Sequence, residues 1–128
     1  MFNVNRVTLL GNATRDPEVK ATKAGKPLSL LGLATNRSWK DAQGQIQREP
    51  EFHRLVCWGG LAEFSGKRVK KGAPLYVEGR LQTNHYENAK GEKKSQTEII
   101  VDRLVLLSSR KSGETDAAEA PVEEAVAA

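Results

Sequence analysis

Residues 51–58 read EFHRLVCW, and the two rings in that run are spaced so that an extended chain turns them to the same side. Side chains on a strand alternate between faces, which groups Phe52, Arg54, Val56 and Trp58 against His53, Leu55 and Cys57. Leu55 and Cys57 suit a barrel interior, so Phe52, Arg54 and Trp58 point outward. Exposed rings flanking a cation are suited to flat π-systems that carry negative charge. A nucleobase stacked on an aromatic ring contributes about 1–3 kcal/mol whatever its identity, while a neighbouring cation meets the phosphate.

The same pattern recurs further along. Leu75, Val77, Gly79 and Leu81 form an inward set, leaving Tyr76, Glu78, Arg80, Gln82, Asn84 and Tyr86 outward. Tyr86 stands near a hairpin carrying Lys90, Lys93 and Lys94, and Trp39 lies between Arg37 and Lys40. A large aromatic taken singly is as readily a core or subunit-contact residue, and Tyr76 is assigned to that role. Four rings, each close to Lys or Arg, point to a binding surface for single-stranded nucleic acid.

Short elements must position these side chains. Val7 and Leu9 alternate with Arg6 and Thr8 in a first strand, and Asp16-Pro17 ends that segment. The turn Ala24-Gly25-Lys26-Pro27 leads into a second strand, Leu28 to Asn36, followed by a polar loop from Arg37 to Arg48. A third strand runs from Glu51 to Trp58. Leu61, Phe64, Ser65, Arg68 and Val69 then fall at helical spacing, with Gly72 placed as a C′ stop. A long strand from Pro74 to Tyr86, a turn at Asn88–Gly91 and a last strand from Ser95 to Leu107 complete the order β-β-β-α-β-β. Five strands with one helix between the third and fourth predict an all-β, five-stranded OB-fold barrel.

Charge divides the chain. Residues 1–111 carry all 20 Lys and Arg against 11 acids, whereas residues 112–128 carry five acids and no Lys or Arg. A basic body with an acidic end fits a polyanionic partner. The end is rich in Ala and Glu, contains Pro121 and lacks aromatics, so it is expected to be disordered. The expected organisation is a domain over 1–109 and a tail over 110–128. One cysteine among 128 residues excludes an intramolecular disulfide and a cysteine-based zinc site, and no apolar run is long enough to span a membrane. The start, MFNVNRVTLL, lacks a secretory pattern, so a cytoplasmic, nucleoid-associated location is expected.

Catalysis lacks a constellation. His53 and His85 are the only imidazoles, acids are scattered beside cations, and Cys57 between Val56 and Trp58 reads as a small buried hydrophobe. Gly59-Gly60 lacks the Lys-Ser/Thr of a phosphate loop. The expectation is a binding protein without cofactor or metal. An OB-fold interaction module for RNA or protein is the competing reading, because OB barrels host many ligands.

The segments VNRVTLLGN, DPE at 16–18, SWKD, EFHRLVCWGGLAE, KGAPLYVEGRL and QTEIIVDRL resemble bacterial single-stranded DNA-binding proteins, in order, across residues 1–107. The resemblance implies that the four base-stacking positions of that family fall on Trp39, Phe52, Trp58 and Tyr86, and that the partner is single-stranded DNA, coated without sequence preference during replication, recombination and repair. It also implies a homotetramer, with the Val7–Leu9 strand pairing subunits edge to edge. Two departures stand out. Asn84 and His85 replace the basic pair common before the fourth ring, which shifts phosphate contact to Lys40, Arg54, Lys71 and the Lys90–Lys94 hairpin, with Arg37 and Arg80 as further candidates. Lys71 could equally serve only the helix end. The chain closes EEAVAA without the acidic Pro-Phe tip that docks partner enzymes in the family, which speaks against recruitment through the tail.

Overall fold

The computed structural model describes residues 1–107 and 122–126. Their order is β1 (Val7–Ala13), β2 (Glu18–Ala21), β3 (Pro27–Lys40), β4 (Ile46–Trp58), α1 (Gly60–Arg68), β5 (Pro74–Glu87), β6 (Lys93–Leu107) and β7 (Val122–Val126). β1 pairs antiparallel with β5 from Val7↔Gly79 to Asn12↔Pro74 and meets β3 at Asn12↔Ala34 and Ala13↔Leu33. β3 pairs with β4 and β5 with β6, both antiparallel, and a parallel junction at Leu55↔Ile99 and Val56↔Ile100 joins β4 to β6. Strands β1, β5, β6, β4 and β3 thereby close the expected five-stranded barrel, with α1 between β4 and β5, the third and fourth barrel strands in chain order. The short β2 lies on β3 beside the closure and was not anticipated.

The inward half of each alternation forms the core. Leu31, Leu33, Leu55, Cys57, Leu75, Val77, Ile99, Val101 and Leu104 are buried together, and α1 adds Leu61 and Ala62, with Val69 just beyond its end. Each large aliphatic side chain so buried contributes about 1.5–3 kcal/mol. The two buried serines are satisfied. The Ser29 and Ser65 hydroxyls hydrogen-bond at 2.5 Å, and Ser65 also donates to the Ala62 carbonyl at 3.0 Å. Burial pushes the neighbouring Cys57 thiol up to about 11, which suits a packing role. His53 hydrogen-bonds Thr35 Oγ1 through Nε2 at 2.9 Å, the structural role its inward position suggests.

Several boundaries differ from the sequence expectation. The presumed loop from Arg37 to Arg48 is largely strand, because β3 continues to Lys40 and β4 begins at Ile46. β3–β4 and β5–β6 thus extend beyond the barrel as hairpin arms, exposed on both faces. Leu81, expected inside, is 46 % exposed because the barrel part of β5 ends at Gly79, next to a bulge in its pairing with β6. The helix stops at Arg68, where Val69 turns extended. Gly72, at φ 90°, therefore serves the turn into β5 rather than a helix C′ position, and its N–H donates to the Ala13 carbonyl at 2.8 Å.

The expected disorder of residues 110–128 falls largely outside the described residues, which include only 122–126 of that stretch, as β7. β7 pairs antiparallel with β6 from Arg103↔Val126 to Leu107↔Val122. β4 leaves β6 after Ile100, so this stretch of β6 is an edge with free ladder groups, and β7 supplies them. Ala125 packs against the core, and Glu124 pairs with Arg103 at 2.6 Å. Glu124→Lys places two cations together and should release β7. Hydrogen exchange at those amides of Arg103–Leu107 that face β7 should accelerate in that variant while the core amides of β5 stay protected. Equal exchange in both proteins would contradict the pairing.

Candidate nucleic-acid interface

Because Leu55 and Ile99 both point inward at the parallel junction, their neighbours on β4 and β6 point outward together. Arg54 and Glu98, each one residue before the junction, share that outer side, and Gln96 reaches Arg54 from β6. On β3 the matching positions are Leu28, Leu30, Gly32 and Ala34, opposite Trp58, Val56, Arg54 and Phe52. On β5 they are Arg80, Gln82, Asn84 and Tyr86, opposite Ile100, Glu98, Gln96 and Lys94. Four strands in the order β3-β4-β6-β5 therefore share one outer face.

The rings on that face are available. Phe52 is 69 % exposed, Tyr86 51 % and Trp58 37 %. Lys26 holds its ammonium 5.4 Å from the centre of the Trp58 ring. The Gln96 carboxamide oxygen, turned towards Arg54, accepts from its guanidinium at 2.6 Å. A neutral partner aims the guanidinium while leaving its charge uncompensated. Tyr86 lines a groove of about 700 Å³ with His85, Lys93 and Lys94, where Lys94 also pairs with Glu92 at 3.2 Å.

A second groove, of about 460 Å³, lies beside Phe52 and Arg54 and is walled by Thr14 and Arg15 from the β1–β2 turn. Gly32 makes this possible, since a Cβ there would overlap Thr14 Oγ1. Arg15 and Lys26 are cations at this face that the sequence reading did not single out. Both sit in turns, where no periodicity marks a direction. Asn84, Gln96 and Glu98 were likewise passed over as sites, although alternation places them beside the rings.

Trp39 stands elsewhere. Opposed to Gln47 on the β3–β4 arm, it shares parity with Leu31, Leu33 and Thr35, so it faces the opposite side of the ribbon from Phe52 and Trp58. The Arg37 guanidinium lies 4.6 Å from its ring centre, which makes a separate ring–cation unit. Lys40, the last residue of β3, is exposed beside it. Lys90 lies at the other arm's tip, and its backbone N–H donates to Asn88 Oδ1 at 2.9 Å. Lys71 is in the α1–β5 turn, its backbone N–H bonded to Asp16 Oδ1 at 2.8 Å, and the strand register does not bring it onto the ring-bearing face. Tyr76 also lies apart, donating to Glu78 Oε1 at 2.8 Å, with Arg6 paired to Glu78 at 3.6 Å.

Fold and face together define an OB barrel with an aromatic, basic outer surface spread over two hairpin arms. Residues 4–107 match the model of the single-strand binding protein family. The chain is 40 % identical over 111 residues to single-stranded DNA-binding protein 1 of Chlorobaculum tepidum, covering 86 % of this chain and 68 % of that one. A solved Plasmodium falciparum SSB complex with ssDNA superposes with a TM-score of 0.76 at 27 % identity, over 84 % of this chain and 98 % of that one. The chain belongs to the single-strand binding protein family.

The Trp39 arm depends on one carboxylate. Asp41 accepts from the Gln43 and Gln45 backbone N–H groups, both at 2.9 Å, and from Gln47 Nε2 at 3.0 Å. These bonds, that of Gln45 foremost, hold its carboxyl below its ordinary 3.8. Because the folded value is the lower one, the bonds stabilise the tip fully above pH 3.8 and are lost as pH falls through the lowered value. In a Trp58→Phe variant, Trp39 emission should hold steady from pH 7 to about 4 and change only below that. Asp41→Ala should abolish the acid transition. A Trp39 signal titrating near neutrality would contradict this anchoring.

Proposed function

We infer that this protein binds single-stranded DNA with little sequence preference and coats strands exposed during replication, recombination and repair. The observation that carries the reading is the continuous outer face of β3-β4-β6-β5, where exposed Phe52, Trp58 and Tyr86 surround the outward guanidinium of Arg54. Rings of this kind accept any base by its π-face, and cations track the phosphates without reading sequence. Arg80, Lys93, Lys94 and Lys90 extend the positive surface along the β5–β6 arm, and Arg37 and Lys40 do so on the other arm. Because Trp39 faces away from Phe52, a strand touching both must pass around the edge of the β3–β4 arm. Lys71 is the weakest member of this set, given its place beside Asp16. The role is binding rather than catalysis, as the family suggests.

The free edge of β1 supports a homotetramer. Among the described residues β1 pairs on one side with β5 and meets β3 only at Asn12 and Ala13, so most of its other edge is open to a second copy. Leu10, 61 % exposed, lies along it. Residues 122–126 lie on the barrel as β7, a packing role rather than a docking one. An intracellular, nucleoid-associated place follows from the DNA partner, and no described helix is long and apolar enough to cross a membrane.

Titration with oligo-dT should quench tryptophan emission, and Phe52→Ala should weaken binding by about 1–3 kcal/mol. Affinity should fall as salt rises, with a log–log slope of about −0.7 for each phosphate neutralised. Binding indifferent to both salt and Phe52, or a preference for duplex or structured RNA over oligo-dT, would overturn the reading. Light scattering that gives a monomer would remove the tetramer.

A further inference from the structure

One group on the ring-bearing face is of the wrong sign for a polyanion. Glu98 stands on β6 between Gln96 and Ile100, is only 9 % exposed, and has outward parity beside Arg54 of β4. Among the described residues it forms no ion pair, and the nearby Arg54 guanidinium is engaged by Gln96. Asn84 Nδ2 donates to Glu98 Oε1, while Oε2 takes no hydrogen bond from the described residues and stays open to solvent. An oxygen left open in this way can accept from a donor that enters beside it.

The carboxylate lines a groove of about 290 Å³ that also includes Leu30, Val56, Ile100, Asn84 and Trp58. By register, Val56 and Ile100 form an apolar row, with Trp58 beyond it at one end and Glu98 at the other. A flat, apolar-faced molecule with hydrogen-bond donors on its edge fits that combination. Phosphate is repelled by Glu98, so the part of a strand that enters is a base. A carboxylate only accepts hydrogen bonds, which makes the groove selective among bases. Guanine presents two adjacent donors, N1–H and N2–H, on its Watson–Crick edge. Cytosine and adenine present one amino group. Thymine presents a single N3–H between two carbonyl oxygens, which the carboxylate repels.

We propose that the groove between Trp58 and Glu98 is a base-selecting subsite, in which guanine set against Trp58 donates its edge hydrogens to the Glu98 carboxylate. The proposal rests on the single-stranded DNA reading above and adds to it one position at which the strand is read. Stacking elsewhere on the face remains indifferent to sequence. Asn84 acts as a positioning residue, fixing Oε1 so that Oε2 faces the groove.

The test uses the full chain and a dT oligonucleotide of about 12 nucleotides, within the span of one OB face, with a single guanine moved along it position by position. Fluorescence anisotropy should show tighter binding, on the order of tenfold, when guanine occupies one particular position. Glu98→Gln, which keeps the shape but adds a donor, should bring guanine and thymine strands within about twofold of each other. The subsite is overturned if the unmodified protein binds every guanine position within about twofold of all-thymine, or if the preference survives in Glu98→Gln. The first of those results needs no variant. Absence of binding to any strand would instead bring down the single-stranded DNA reading itself, so the two failures are distinct.

Discussion

Two residue pairs, Leu55↔Ile99 and Val56↔Ile100, join what would otherwise be two separate antiparallel hairpins. The junction is short because β4 and β6 splay apart on either side of it. Its inward members, Leu55 and Ile99, are locked by the core, so their outward neighbours have no choice of side. Arg54 and Glu98 come to the same outer side, and the β5–β6 arm carries Asn84 and Tyr86 onto that face. A slip of one residue would turn Phe52 and Trp58 into the core and expose Leu55 and Cys57. Each misplaced aliphatic would forfeit about 1.5–3 kcal/mol. The packing that closes the barrel and the surface proposed to bind are therefore set by one register.

The two arms then extend that surface beyond the barrel. Each tip is tied by a single side chain. Asp41 holds the β3–β4 turn, and Asn88 holds the β5–β6 turn by accepting from the Lys90 and Glu92 N–H groups at 2.9 and 3.0 Å. Ring and cation pairs occur on both sides of the first arm, Trp39 with Arg37 on one and Phe52 next to Arg54 on the other. A bound strand thus has reason to bend around the arm rather than run straight across it. Glu124 of β7 is paired with Arg103 on the β6 edge, away from the ring-bearing face.

Much of this face was legible in the sequence because alternation works wherever one side of a strand is buried. It separated Phe52, Arg54 and Trp58 from Leu55 and Cys57 and ordered Arg80 to Tyr86 along one side. It failed where burial stops. Residues 37–48 are polar on both faces because the arm is solvated on both, so a strand there carries no period-two signal and reads as a loop. Leu81 kept its inward parity but had left the barrel. Arg15 and Lys26 reach the face from turns, and only the tertiary path past Gly32 and Trp58 shows it. The end segment VEEAV is too short to announce a strand, and its pairing depends on an edge that opens only when β4 departs from β6.

The most direct test of the account is where a bound strand lies. Photo-cross-linking with oligonucleotides carrying 5-bromo-deoxyuridine, followed by peptide mass spectrometry, reads this position by position. The account predicts adducts at Phe52, Trp58 and Tyr86 on the outer face and at Trp39 on the reverse of the arm, with none at Tyr76 or Phe64. Adducts concentrated on Tyr76, Phe64 or the β1 edge, with the four rings untouched, would contradict it.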